Sequence, residues 1–366
     1  MAEVKALQRQ SCPECGGDAQ WNPAKQALIC PYCGAIVPGQ LKSDGAGIEE
    51  HDLAEALRRT APEQRGWRAE KISVKCQSCR AISIFDPGRA AQRCDFCGSP
   101  AIAPYEETKD PIRPESVLPF KLSEDQVRDQ LRTWYGSRWF APNRLKKAAL
   151  TDTLKGIYIP YWTFDAKAQA QWNAESGYYY YEDESYRDDN GRTETRRVQK
   201  IRWQPSAGKV EHFFDDTLIC GSVGVEKELI QEVESYPTTT DLKPYDANFL
   251  RGWVVERYQV DLSQAADRSR EIMEGEMEAL CASDVPGDTH RNLQVETQYL
   301  ARTFKHILAP IWLVSYTFGA SNFQVIVNGY TGKLAGKHPI SWVKVALAVV
   351  GALIAIGLVL ILLQGH

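Results

Sequence analysis

Eight of the ten cysteines in this chain are set in four C-x-x-C pairs, and no other feature limits the local fold so tightly. The first two pairs read Cys12-Pro-Glu-Cys15-Gly-Gly and Cys30-Pro-Tyr-Cys33-Gly; the second two read Cys76-Gln-Ser-Cys79 and Cys94-Asp-Phe-Cys97-Gly. Fourteen residues separate the inner cysteines in both sets, and the second set repeats the first 64 residues later. A tetrahedral ion needs two thiolates from each of two tight turns, and C-x-x-C supplies such a pair while a following glycine lets backbone amides turn toward the sulfurs. The opening residues MAEVKALQRQS contain no apolar run of an export signal, so metal is expected here rather than disulfides. Cys12, Cys15, Cys30 and Cys33 form one predicted metal site, and Cys76, Cys79, Cys94 and Cys97 the other.

Short apolar pieces around turns, Gln20-Trp21 with Ala27 to Ile29 and then Ala81 to Phe85, complete two zinc ribbons over 1–40 and 71–105. In such modules the metal substitutes for a core too small to fold alone. Two structural Zn2+ ions are expected; four thiolates also suit a single iron, which colour and a metal assay would distinguish. Cys220 and Cys281 remain as packed thiols.

At the other end, Val345 to Leu363 (VALAVVGALIAIGLVLILL) carries no charge and no hydrogen-bonding side chain. As a helix rising about 1.5 Å per residue it matches the roughly 30 Å of a bilayer's hydrocarbon. A transmembrane helix is predicted over 342–363. Lys333, Lys337 and Lys344 precede it, so positive-inside bias predicts a single-pass protein with its N-terminal part in the cytoplasm.

Between these ends, 41–70 reads as a linker carrying a short helix over 48–59, with His51 on its surface, and the prolines of 106–120 as a stiff second linker. The region 121–340 reads as an antiparallel-sheet α+β domain. A helix starts near Ser123 with an S-x-x-Q capping box; Ala166, Ala168, Ala170, Trp172 and Ala174 alternate with polar residues as in a half-buried strand; Asp188 to Gly191 marks a turn; and Leu262 to Ala282 reads as a second helix. Lys155-Gly-Ile-Tyr-Ile-Pro160-Tyr-Trp162 echoes Lys305-His-Ile-Leu-Ala-Pro310-Ile-Trp312, which predicts a duplicated unit with a helix leading into each copy. The overall fold class expected is therefore α+β: two ribbons, one α+β domain and one C-terminal span.

The segments LKGIYIPYWTFDA and APIWLVSYTFGASNFQVIVNGYTGKLAG, together with the CPECGG and CPYCG knuckles and the apolar tail, make the chain resemble bacterial tail-anchored TFIIB-type zinc-ribbon proteins, often labelled primosomal helicase N′-like. The resemblance implies a membrane-anchored accessory protein, in some members associated with flotillin-like or phage-shock-like envelope-stress proteins. No phosphate-binding G-x-x-x-x-G-K-[ST], G-x-G-x-x-G, H-E-x-x-H or G-x-S-x-G motif occurs, which disfavours a motor or hydrolase and points to a non-enzymatic adaptor that recruits a protein partner. A net charge of −4 gives no global nucleic-acid signature. A basic cluster of Lys71, Lys75, Arg80, Arg89 and Arg93 near Phe85 and Phe96, together with the basic and aromatic run Arg138 to Lys147, whose plainer reading is a loop with Trp139 and Phe140 packed, keeps a second reading open, a membrane-tethered nucleic-acid binder.

Overall fold

The computed structural model describes residues 11–38, 48–58, 72–85, 93–105, 111–142, 154–187, 192–318 and 321–364. Three long strands dominate it: β8 (Leu154–Arg187), β9 (Thr193–Cys220) and β12 (Thr289–Phe318). The 34 residues of β8 span about 110 Å at roughly 3.3 Å per residue. Thr193–Cys220 and Thr289–Phe318 are each one continuous strand. The expected turn at Asp188 to Gly191 lies outside the described residues.

β8 pairs antiparallel with β9 on one side and β12 on the other. The alternation in the sequence is the packing pattern: Ala166, Ala168, Ala170, Trp172 and Ala174 are buried. They form one apolar cluster with Ala265, Met273, Met277 and Cys281 of helix α4 (Leu262–Asp284), which comes after the short α3 (Lys227–Val233). Small alanines on the strand let a helix of that length lie close along it.

The sequence echo is a structural duplication. In the centre of the sheet Ile157 faces Ile311, Tyr158 faces Pro310 and Ile159 faces Ala309, so the two echo segments pair with each other about a local two-fold through Ile159 and Ala309. Short β7 (Ser116–Val117) runs parallel to β12 with Val117 opposite Leu308, as β11 (Val254–Glu256) runs parallel to β8 with Val255 opposite Tyr158. Helix α2 (Glu124–Ser137) follows the first and α4 the second, capped by Ser123 and Asp261 side chains accepting from Gln126 and Gln264 N–H. The Trp162 indole donates to Val260 O at 2.9 Å and the Trp312 indole to Leu122 O at 3.2 Å. Each unit ends in a returning strand, β9 and then β13 (Ser321–Asn328), with Gly221 N–H donating to Pro160 O and Gly329 N–H to Pro310 O.

The described parts of two stretches expected as linkers, 48–58 and 111–120, belong to this body. Of 111–120, Pro111, Ile112, Pro114 and Ser116 to Phe120 are buried, and β7 sits between β12 and β10 (Lys243–Pro244). Proline removes a donor, but it does not prevent an extended segment from entering a sheet where its missing N–H faces no partner. The helix expected over 48–59 is shorter: His51–Asp52 form β3 against β12, and α1 (Leu53–Arg58) starts only where the Asp52 carboxylate accepts from Glu55 N–H at 2.7 Å. His51 is not on the surface. Its Nε2 lies 3.1 Å from Glu115 Oε1 and its ring faces Phe304 at 5.7 Å, and the Glu115 hydrogen bond holds the imidazole above its ordinary pKa.

The chain ends in α5 (Trp342–Gln364). Among the described residues, no helix is long and apolar enough to cross a membrane; the side chains of α5 beyond 357 lie outside that description.

Candidate metal centres

All four knuckles fold by the same backbone scheme. The first cysteine of each pair accepts a hydrogen bond at its carbonyl from the residue four positions on: Gly16 to Cys12, Gly34 to Cys30, Arg80 to Cys76 and Gly98 to Cys94, at 2.9 to 3.0 Å. Its own N–H donates one residue further along the chain, to Gly17, Ala35, Ala81 and Ser99 respectively. That loop requires a left-handed residue, and Gly16, Gly34 and Gly98 supply it with φ of 75°, 74° and 72°. Arg80 adopts φ 65° at the fourth such position, where a side chain costs about 1–2 kcal/mol.

The knuckles bring the predicted residues together as two groups of four. Cys12 Sγ lies 3.5 Å from Cys33 Sγ and Cys15 Sγ 3.4 Å from Cys30 Sγ; Cys76 to Cys97 and Cys79 to Cys94 are each 3.6 Å. Within each group all four sulfurs lie within 4.8 Å of one another. Metal–sulfur bonds of about 2.3 Å in a tetrahedron put sulfurs about 3.8 Å apart, so each set has the size and donor chemistry for one ion. Each group can hold a metal. Within each crowd the protons are unequally held: the Cys33 N–H pulls Cys30 down to about 7, the Cys79 thiol pulls Cys94 down to about 5, and burial pushes Cys97 up to about 11. Four thiolates this close are compatible only with a cation among them.

The two centres differ in how they meet the body. Around the first, β1 (Gln20–Asn22) and β2 (Ala27–Ile29) form a separate hairpin, held where Trp21 N–H donates to Arg251 O and the Trp21 indole to Phe120 O at 3.4 Å. Its second knuckle points outward, with Tyr32 79% and Ile36 64% exposed. Around the second, β4 (Ile72–Cys76), β5 (Ile82–Phe85) and β6 (Ile102–Pro104) continue the large sheet through β5 and β11. Here the knuckle points inward. Phe96 is fully buried, its carbonyl accepts from Gln324 Nε2 at 3.2 Å and from Ser315 Oγ, and neighbouring Asp95 pairs with Lys155. Phe96 therefore has no face free to stack on a base. Phe85's side chain, Lys71 and Arg89 lie outside the described residues.

A third acidic group, Asp165, Asp215 and Asp216, was not singled out by the sequence. It sits at a bulge where β8 and β9 slip register beside Phe164. Lys305 fills it, with Nζ 2.8 Å from Asp216 Oδ1 and 3.0 Å from Glu50 Oε1, while Asp216 N–H donates to Asp165 Oδ1. Burial raises Asp165 to about 6. Nothing in the spacing of these acids marks the bulge that gathers them. Of the two leftover cysteines, Cys281 is buried in the α4 cluster and Cys220 ends β9, where burial raises its thiol.

The fold and these sites define a mixed α+β protein with two four-cysteine metal-binding groups built onto a duplicated sheet. Over 337 residues, 92% of this chain and 91% of the other, it is 25% identical to a protein of Bacillus subtilis (strain 168) described as uncharacterized protein YdjG. No family model and no solved structure matches the chain.

Proposed function

We propose that this is a membrane-anchored zinc-ribbon adaptor of the tail-anchored type that its sequence resembles. In this reading both four-cysteine groups hold structural zinc, α5 fixes the body to the cytoplasmic face of the membrane, and the protein recruits a partner protein there without catalysing a reaction, in the setting of envelope stress. The observation that carries it is α5: Val343, Leu347, Val350, Leu353, Ile354 and Ile356 are each more than half exposed, and among the described residues no element covers them. Apolar surface on every side of a helix is unfavourable in water at about 25 cal/mol per Å2 and favourable in lipid.

The partner site follows from the contrast between the knuckles. The second ribbon spends its knuckle on the core, whereas the first presents Tyr32 and Ile36 outward, an aromatic and an aliphatic side chain on a metal-stiffened loop. Such rigid exposed anchors are what protein interfaces use. A photo-crosslinking residue at position 32 of the full-length protein, in native membranes, tests this: a discrete protein adduct absent at a control position supports the adaptor. Salt-dependent nucleic-acid binding lost on Arg80 and Arg93 substitution would support the tethered nucleic-acid reading instead.

A further inference from the structure

The loop that follows α2 is tied to the first turn of α5. Ser341 N–H donates to Phe140 O at 2.8 Å, and the Lys344 ammonium donates to Trp139 O at 3.1 Å and Ala141 O at 2.7 Å. A lysine in the first turn of an apolar helix is thus used to cap backbone carbonyls of a loop just over two hundred residues earlier in the chain. What the clamp displays is apolar: Trp139 is 75% exposed and Phe140 41%, next to Ile340 at 53% and Trp342 at 77%. Arg138 stands behind them with its guanidinium 4.7 Å from the centre of the Trp134 ring, and Trp134 in turn meets His338.

Two tryptophans, a phenylalanine and an isoleucine, backed by an arginine and gathered around the root of an apolar helix, are the side chains favoured at the boundary between acyl chains and headgroups. We propose that Arg138 to Phe140 is a second lipid contact, lying in the interface of an anionic membrane beside the point where α5 enters it. This deepens the proposed function and rests on α5 being the anchor. A lone helix leaves the body free to swing about its entry point. A second contact, fixed to that helix by Lys344, holds the body at one tilt, so that the rest of the molecule faces away from the bilayer in a defined orientation. Charge agrees with this: Arg138 and Lys344 stand on this face, where anionic headgroups meet cations, while Lys337 just before it pairs with Glu226.

The test uses the full-length protein reconstituted in vesicles of phosphatidylcholine and phosphatidylglycerol, with a photoreactive phenylalanine analogue placed singly at 140, at 342 and at the remote exposed position 32. Lipid adducts at 140 and 342 and none at 32 are expected. Adducts at 342 but not at 140 would overturn the second contact while leaving the anchor in place; none at either would overturn both. A vesicle series without phosphatidylglycerol should lower the yield at 140 more than at 342, and an equal loss at both would remove the role given to Arg138.

Discussion

Tyr32 and Phe96 occupy the same place in their knuckles, yet they should respond in opposite ways to the same substitution. Phe96 is fully buried in a cluster with Ile157, Ile159 and Leu313, and Gly224 packs so close that a β-carbon there would fall 2.9 Å from the ring. Truncating such a phenylalanine costs about 3–5 kcal/mol, the lost transfer energy plus a cavity that two neighbouring strands cannot collapse into. Against a total stability of about 5–15 kcal/mol this is a large fraction. Tyr32 is 79% exposed, and a surface change of that kind moves stability by about 0.5 kcal/mol or less. Urea unfolding of metal-loaded Phe96→Ala should shift the midpoint down by about 1 M or more if the slope is about 3 kcal/mol per M, with Tyr32→Ala close to the parent. In cells the order should reverse for partner capture: Tyr32→Ala loses the crosslinked partner at normal protein levels. Equal midpoint shifts in the two variants would refute the assignment of one knuckle to the core and the other to the surface.

Other outcomes follow from single sites. Cys12→Ser and Cys76→Ser should each lower the bound metal from about two ions per chain to about one, read by metal analysis, and the protein should be colourless if the ion is zinc. His306 is fully buried, stacked 4.7 Å from Trp162, and burial depresses its imidazole to about 3. The unfolded chain takes up that proton near pH 6.5 and the folded chain does not, so stability falls as pH drops from about 6.5 to about 3, by about 1.4 kcal/mol per unit. His306→Gln should flatten that acid limb in denaturation curves taken across this range. Lys305→Met strands the buried Asp216 carboxylate and should cost about 3–5 kcal/mol in thermal or urea unfolding. Gly156→Ala places a β-carbon 2.2 Å from the Trp253 ring, and the resulting overpacking should cost about 1–3 kcal/mol by the same assay.

The two four-cysteine groups were legible in the sequence because the knuckle is a local structure: spacing alone fixes which sulfurs meet. The capping box at Ser123 and the alanine stripe of β8 were legible for the same reason, each being a pattern within one element. The echo at Pro160 and Pro310 revealed the duplication only in its central strands. Its other half keeps geometry at Val117 with Val255 and Ser123 with Asp261, but only the valine is shared and the spacing there is 138 residues rather than the 150 between Pro160 and Pro310, so too little remains to read. The proline-rich stretch looked like a linker because β7 pairs through only two residues, too few to show an alternation. The inward turn of the second knuckle depends on Gln324 and Ser315, which lie more than two hundred residues from Phe96. His51 escaped because its partner Glu115 belongs to that same proline-rich stretch.

The central claim is that α5 holds the body at a membrane with its ribbons on the cytoplasmic side. Protease protection of the full-length protein in sealed native membranes tests it most directly. The account predicts that the chain stays in the membrane pellet through alkaline extraction and that protease added on the cytoplasmic side removes both four-cysteine groups, leaving only a short C-terminal fragment. Release of the intact chain by alkali, or shielding of the ribbons from that protease, would contradict it.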